Sequence, residues 1–298
     1  MREILREDVV KVNALLQLTL GLNSYKSIER MGGLTNHTYH VVLDDGREFS
    51  VRIPGEGTEE LIDRRNEKVS TELACRLGVD AKMLYFGADG SKLTEYIGNA
   101  VTMSSDELKK EKHIEQVANI FRTMHSCGED TAVPFEVFDM AASYEKIICD
   151  KNVTLFDDYE ENKAQVMRIK AEIDSQIKAP KVPCHNDPLC ENWVEGDGRM
   201  YLIDWEYAGM NDGMWDLADV SIEAGFNAEH DMLLLEKYLQ RKPGQKDIKH
   251  FVANKIYVDY LWTLWAKARV PYDGQPMEDW ANERYARLKE SICFFGKI

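Results

Sequence analysis

Up to residue 97, apolar positions recur mainly in short alternating runs. Beyond it they recur every three to four residues over longer stretches. Alternation predicts strands and the longer period predicts amphipathic helices. Residues 5–20 read as a helix, and 25–30, 37–43 and 48–53 as strands. The last two are joined across the Asp44-Asp45-Gly46 turn as a hairpin. A helix over about 59–77 is entered through Thr58-Glu59-Glu60 and stopped by Gly78. Strands at 83–86 and 91–97, separated by a Gly87/Gly90 turn, complete a small antiparallel sheet with one main helix.

Gly98-Asn99 marks the boundary between an N-terminal lobe, 1–97, and a helical C-terminal lobe, 98–298. In the second lobe Ile114, Val117, Ala118, Phe121 and His125 share one face of a helix over 106–126. Further helices are expected at 139–150, 156–177, 213–225, 229–240, 246–269 and 278–294. Between them, 184–209 reads as a polar loop followed by a hairpin that turns at Gly196-Asp197-Gly198 and includes Met200-Tyr201-Leu202-Ile203. No internal repeat interrupts this α+β, bilobal layout, in which a nucleotide is expected in the cleft between lobes.

Composition narrows the partners. The chain has 298 residues, 44% of them hydrophobic, enough for a packed core. A net charge of -15 argues against nucleic acid and anionic membranes and is compatible with a cationic substrate. The charged start MREILREDVVKV reads as no secretory signal. The apolar stretch Phe251–Val270 is broken by Asn254, Lys255, Asp259 and Lys267, so no membrane span is expected. Six cysteines without CxxC spacing favour reduced thiols and a cytoplasmic setting. Cys184, His185 and Cys190 match no zinc-finger spacing.

The chemistry concentrates between Cys184 and Gly209. A lone aspartate is usually a surface residue or a cap. Here His185-Asn186-Asp187 is followed by Asn192 at the spacing of a kinase catalytic loop, and Asp204 closes the hairpin. Phosphoryl transfer needs such a set: one carboxylate for the hydroxyl proton, and an Asn oxygen with a second carboxylate for magnesium. In the first lobe, Gly33, Thr35 and Asn36 of Met31-Gly32-Gly33-Leu34-Thr35-Asn36 could approach phosphates. Arg52, a cation within an apolar strand, is expected to bind phosphate and pair with Glu67 on the first-lobe helix. Glu95, Tyr96 and Ile97 sit where the lobes meet and are the positional candidates for base recognition. Trp262 and Trp265, three residues apart, read first as a core stripe. With Tyr207, Glu223 and Trp280 they would instead make an aromatic cage for an ammonium group.

These residues resemble the choline/ethanolamine kinase family, and more closely its bacterial choline kinases. The resemblance runs from Gly32-Gly33-Leu34-Thr35-Asn36 to Trp280. It is most specific in HND-x4-N, Leu202-Ile203-Asp204-Trp205-Glu206-Tyr207 and Trp215-Asp216-Leu217-Ala218. It implies a protein-kinase-like fold and ATP-dependent transfer of the γ-phosphoryl group to choline, with ATP and Mg2+ as cofactors, in a monomer or homodimer. By the same resemblance Asp187 is the base, Asn192 and Asp204 hold magnesium, Arg52 and Glu67 form the phosphate-side pair, and Asp216 braces the catalytic loop. Tyr207, Glu223, Trp262, Trp265 and Trp280 line the choline pocket. Trp205 and Trp280 stand where the family more often has phenylalanine and tyrosine, which implies an altered cage size. Pro188-Leu189-Cys190 differ from eukaryotic members, and 130–180 matches least. The rival readings are a kinase of ethanolamine, an aminoglycoside or another small alcohol, and a catalytically dead binding module.

Overall fold

The structure is a computed structural model that describes residues 4–31, 36–55 and 63–298. Gly33, Thr35 and the expected helix entry Thr58-Glu59-Glu60 lie outside the described residues. Among the described residues the elements run α1 (Arg6–Leu20), β1 (Ser27–Arg30), β2 (His37–Val42), β3 (Glu48–Ile53), α2 (Arg64–Arg76), β4 (Met83–Phe86), β5 (Lys92–Glu95) and β6 (Val101–Thr102). There follow α3 (Ser105–Leu108), α4 (Glu111–His125), α5 (Val137–Asp150), α6 (Tyr159–Gln176), β7 (Lys181–Cys184), β8 (Trp193–Gly196), β9 (Arg199–Leu202) and β10 (Gly209–Asp212). The chain ends with α7 (Gly213–Glu223), α8 (Ala228–Leu239), α9 (Gln245–Asp273) and α10 (Gln275–Phe295).

The chain divides into two compact units, Met1–Met103 with Glu191–Ala208, and Ser104–Cys190 with Gly209–Ile298. A division at residue 97 would leave the β8–β9 hairpin with the helices. The compact units instead group it with residues 1–103, where it pairs with β6 through Val101↔Glu195 and Thr102↔Val194 in a three-stranded sheet, β6-β8-β9, distinct from the five-stranded one. A two-residue exposed strand carries too little pattern to be seen in sequence.

In the first unit the sheet order is β1-β2-β3-β5-β4, antiparallel throughout. Alternation along β3 buries Phe49, Val51 and Ile53 in a core with Val12, Leu15 and Leu16 of α1. By the same alternation Arg52 points to the opposite face. Asp63 caps α2 by accepting the Arg65 N–H at 2.9 Å, which fixes the start of the helix carrying Glu67. The β8–β9 hairpin closes through Asp197 and Gly198, both at positive φ, the Asp-Gly turn that suits strand twist.

The second unit is helical apart from the antiparallel β7–β10 pair. Its central helix, α9, is buried around most of its circumference and packs against α5, α6, α7 and α10. The single helix expected over 106–126 is two: Lys110 is extended, and α4 restarts at Glu111. The buried His113 ring bonds the Glu107 carbonyl at 2.5 Å, a carbonyl in the last turn of α3 that also accepts the Lys110 N–H at 3.1 Å. No helix among the described residues is long and apolar enough to cross a membrane.

Candidate active site

In the first unit, Arg52 is almost wholly buried and acts as the hub of an ion network. Its Nη2 lies 2.5 Å from Glu67 Oε1 and its Nη1 3.3 Å from Asp204 Oδ1, while Nη2 donates to the Gly90 carbonyl at 2.9 Å. Glu67 has no exposed surface and also takes Arg64 Nη1 at 2.6 Å. It therefore reaches a nucleotide only through the cations it holds. Burial, reinforced by the carboxylates of Asp204 and Glu67, pushes Glu206 up to about 7 against the pull of Arg52 and Arg64.

The hairpin brings the two expected metal ligands to neighbouring positions. The Ile203 N–H donates to the Asn192 carbonyl at 2.9 Å, so Asp204 follows directly beyond the residue paired with Asn192. Asp204, two residues beyond β9, has φ 69, a left-handed conformation uncommon for a non-glycine residue. An amide oxygen and a carboxylate are hard donors of the kind magnesium takes, so the residues fit that ion. Asn36 is buried just before β2, its Oδ1 without a hydrogen-bond partner. The N–H groups of Glu95 and Tyr96 are committed to Lys82 and Glu48 carbonyls, so neither offers a backbone donor to a base. Trp205, expected to change the cage, is a core residue of this unit: it is fully buried and its indole N–H donates to the Leu202 carbonyl at 3.1 Å. Tyr207, half-buried, also belongs to this unit.

Asp80, after α2, is buried and accepts the Ala81 N–H at 2.6 Å. Burial outweighs the attraction of Lys92 and pushes its carboxyl up to about 6. A folded pKa above the unfolded 3.8 means that the folded state holds the proton longer. Stability linked to Asp80 is therefore full below pH 3.8 and falls as pH rises towards 6. Asp80→Asn should remove that slope. In urea titrations the wild type should lose, relative to the variant, on the order of 2 kcal/mol between pH 4 and pH 7. Parallel pH dependences would refute the assignment.

In the second unit, β7 delivers His185-Asn186-Asp187 and β10 delivers α7. Asp216 on α7 is fully buried and accepts the N–H groups of His185 and Asn186, both at 2.8 Å. Its Oδ2 also lies 3.0 Å from His125 Nε2. Asn186 has φ 66, and its carbonyl accepts the Trp215 indole N–H at 3.1 Å while its Oδ1 accepts Asn211 Nδ2 at 2.9 Å. Asp216, Trp215 and Asn211 thus hold the backbone from which Asp187 projects. His125, Cys184 and Asp216 lie close enough to suggest a metal, but these bonds, with Tyr238 on His125 Nδ1 at 2.9 Å, already account for the His and Asp groups.

Trp262, Trp265 and Trp280 form an edge-to-face ladder, with centroids 6.1 and 5.8 Å apart. Arg284 lies over Trp280, its guanidinium carbon 4.1 Å from the ring centroid. The same guanidinium pairs with Glu223 and reaches Asp259 at 3.3 Å, and Arg287 holds Asp259 at 2.6 Å. Sequence reasoning missed Arg284, although its spacing of four from Trp280 on a helix was a readable signal. A separate cavity of about 470 Å³ near Phe156 holds Lys267, which Glu278 already binds at 2.7 and 2.9 Å, and none of the expected site residues.

The sequence profile described as choline/ethanolamine kinase matches residues 28–268. Protein LicA of Haemophilus influenzae is 30% identical over 263 residues, which span 85% of this chain and 76% of that protein. A choline/ethanolamine kinase family protein from Mesorhizobium loti matches with TM-score 0.84 and 33% identity, over 95% of this chain and 94% of that one. The choline kinase LicA from Streptococcus pneumoniae matches with TM-score 0.79 and 28% identity, over 96% and 99% of the two chains.

Proposed function

The chain belongs to the choline/ethanolamine kinase family, and from that premise we propose that it is an ATP-dependent choline kinase producing phosphocholine and ADP. The observation that carries the choline reading is the Trp262-Trp265-Trp280 ladder, one ring of which already carries a guanidinium. Clustered indoles offer π faces that suit a cation without N–H donors, bound by cation–π attraction and desolvation, the same attraction that seats the Arg284 guanidinium on Trp280.

Asp187 takes the proton of the substrate hydroxyl as its oxygen bonds to the γ-phosphorus and the bond to the β-phosphate oxygen breaks. Asp216 keeps the Asp187 backbone in register through the two N–H groups before it. Arg52, held by Glu67, faces the phosphates with a cation that needs no reorganisation. Asn192 and Asp204 would hold magnesium, which when bound neutralises phosphate charge. Catalysis in this scheme is mostly positioning.

Release of ADP, followed by a coupled assay with choline, ethanolamine and aminoglycosides, tests the reading. Choline should be turned over with the highest kcat/KM and aminoglycosides not at all. Equal rates on all of them would refute the aromatic selection. Trp265→Ala should raise the KM for choline about tenfold, the loss of one well-formed cation–π contact, with little change in KM for ATP.

A further inference from the structure

We propose that Asp219 is the buried counter-charge through which the substrate pocket selects a cationic alcohol, an inference that rests on the reading above. Asp219 lies on α7, three residues after Asp216 and four before Glu223, so the three carboxyls share one face of that helix. The row starts at the brace of the catalytic loop and ends at the carboxylate paired with Arg284. From Asp219 to Glu223 the helix rises about 6 Å, comparable to the span of a small amino alcohol.

The charge balance singles this residue out. Asp219, Glu223 and Asp259 are three carboxyls, and Arg284 and Arg287 are the two guanidinium groups set among them. Glu223 and Asp259 are both directly ion-paired. Asp219 is 1% exposed and neither of its oxygens has a hydrogen-bond partner. The sequence-based assignment gave the counter-charge to Glu223, but Arg284 already neutralises that group. A buried carboxyl with no partner is costly, and such a group persists where something else supplies its counterpart.

The groups that act on it are Glu223 and Asp216 on its own helix, Asp187 on the catalytic loop, and Arg284 and Arg287 on α10. Burial and the three neighbouring carboxyls favour its neutral form. A substrate ammonium supplies the positive charge that makes the ionised form favourable. Since the Asp219 oxygens are covered, the attraction acts across a low-dielectric gap, where Coulomb energy is least screened, and needs no direct contact.

Calorimetry on the full chain tests this with two ligands of one shape, choline and the uncharged 3,3-dimethylbutan-1-ol. Asp219→Asn should weaken choline binding about tenfold, leave the neutral isostere within about twofold, and leave nucleotide binding unchanged. Equal weakening of both ligands, or of neither, overturns the proposal. Asp219→Ser is measured alongside, and if neither variant folds, Asp219 is a structural residue and the proposal falls. The wild-type arm separates the premise from the inference: a wild type that neither binds nor phosphorylates choline or ethanolamine refutes the kinase reading itself, and the inference with it.

Discussion

Asp187→Ala is expected to lower kcat about 10³-fold while leaving ATP affinity essentially unchanged, the signature of a lost general base. The expectation follows from where the structure spends its polar groups. Asp216, Asn211 and Trp215 together fix the backbone of His185 and Asn186, and the Asp187 N–H faces His185 Nδ1 at 3.3 Å. Such local bonding orients one carboxylate and stays in place when that carboxylate is removed. The variant should therefore fold and bind nucleotide normally. Rapid-quench measurement of phosphocholine formation, with nucleotide titration in parallel, provides the check. A kcat within about threefold of wild type would remove Asp187 from the role of base, since general-base catalysis is worth far more.

Asp216→Ala should be the most damaging change to stability, costing about 4 kcal/mol. The alanine leaves the His185 and Asn186 N–H groups without their acceptor in a site with no exposed surface. It also removes the contact of His125 Nε2 with Oδ2. Hydrogen bonds to a charged acceptor are each worth about 1.5–3 kcal/mol, and the stranded donors add their desolvation cost. Asp216→Asn keeps one oxygen acceptor and should lose roughly half as much. Urea unfolding of the three proteins, with amide exchange at His185 and Asn186, measures the series. If the alanine variant were as stable as wild type, the bracing role would be wrong, whatever happened to activity.

Local pattern made most of the architecture legible. The β2–β3 hairpin, the α2 and α5–α10 helices and the β8–β9 turn follow from alternation, helical period and Asp-Gly chemistry, all of which act over a few residues. The Arg52–Glu67 pair was readable because a cation inside an apolar strand demands a partner, and it is found at 2.5 Å. The β6–β8 pairing was not readable, since it joins residues far apart in sequence through a two-residue strand. The break at Lys110 was not readable either: there the buried His113 ring bonds the Glu107 carbonyl, a contact that the helical period does not signal. Trp205 was misread for the same reason: its indole is consumed by the core of the first unit.

The sequence by itself determined the local elements and the spacing of Asp187, Asn192 and Asp204, because these are properties of short stretches of chain. From them came the reaction class. Only the tertiary structure decided which charges are already neutralised. Glu223 and Asp259 meet Arg284 and Arg287, whereas Asp219 meets no hydrogen-bond donor. The energy of a carboxylate depends on its burial and on the distance to the nearest cation, and both are fixed by packing between helices α7, α9 and α10. An aspartate on an amphipathic helix looks the same in sequence whether solvent, an arginine or a substrate is to balance it.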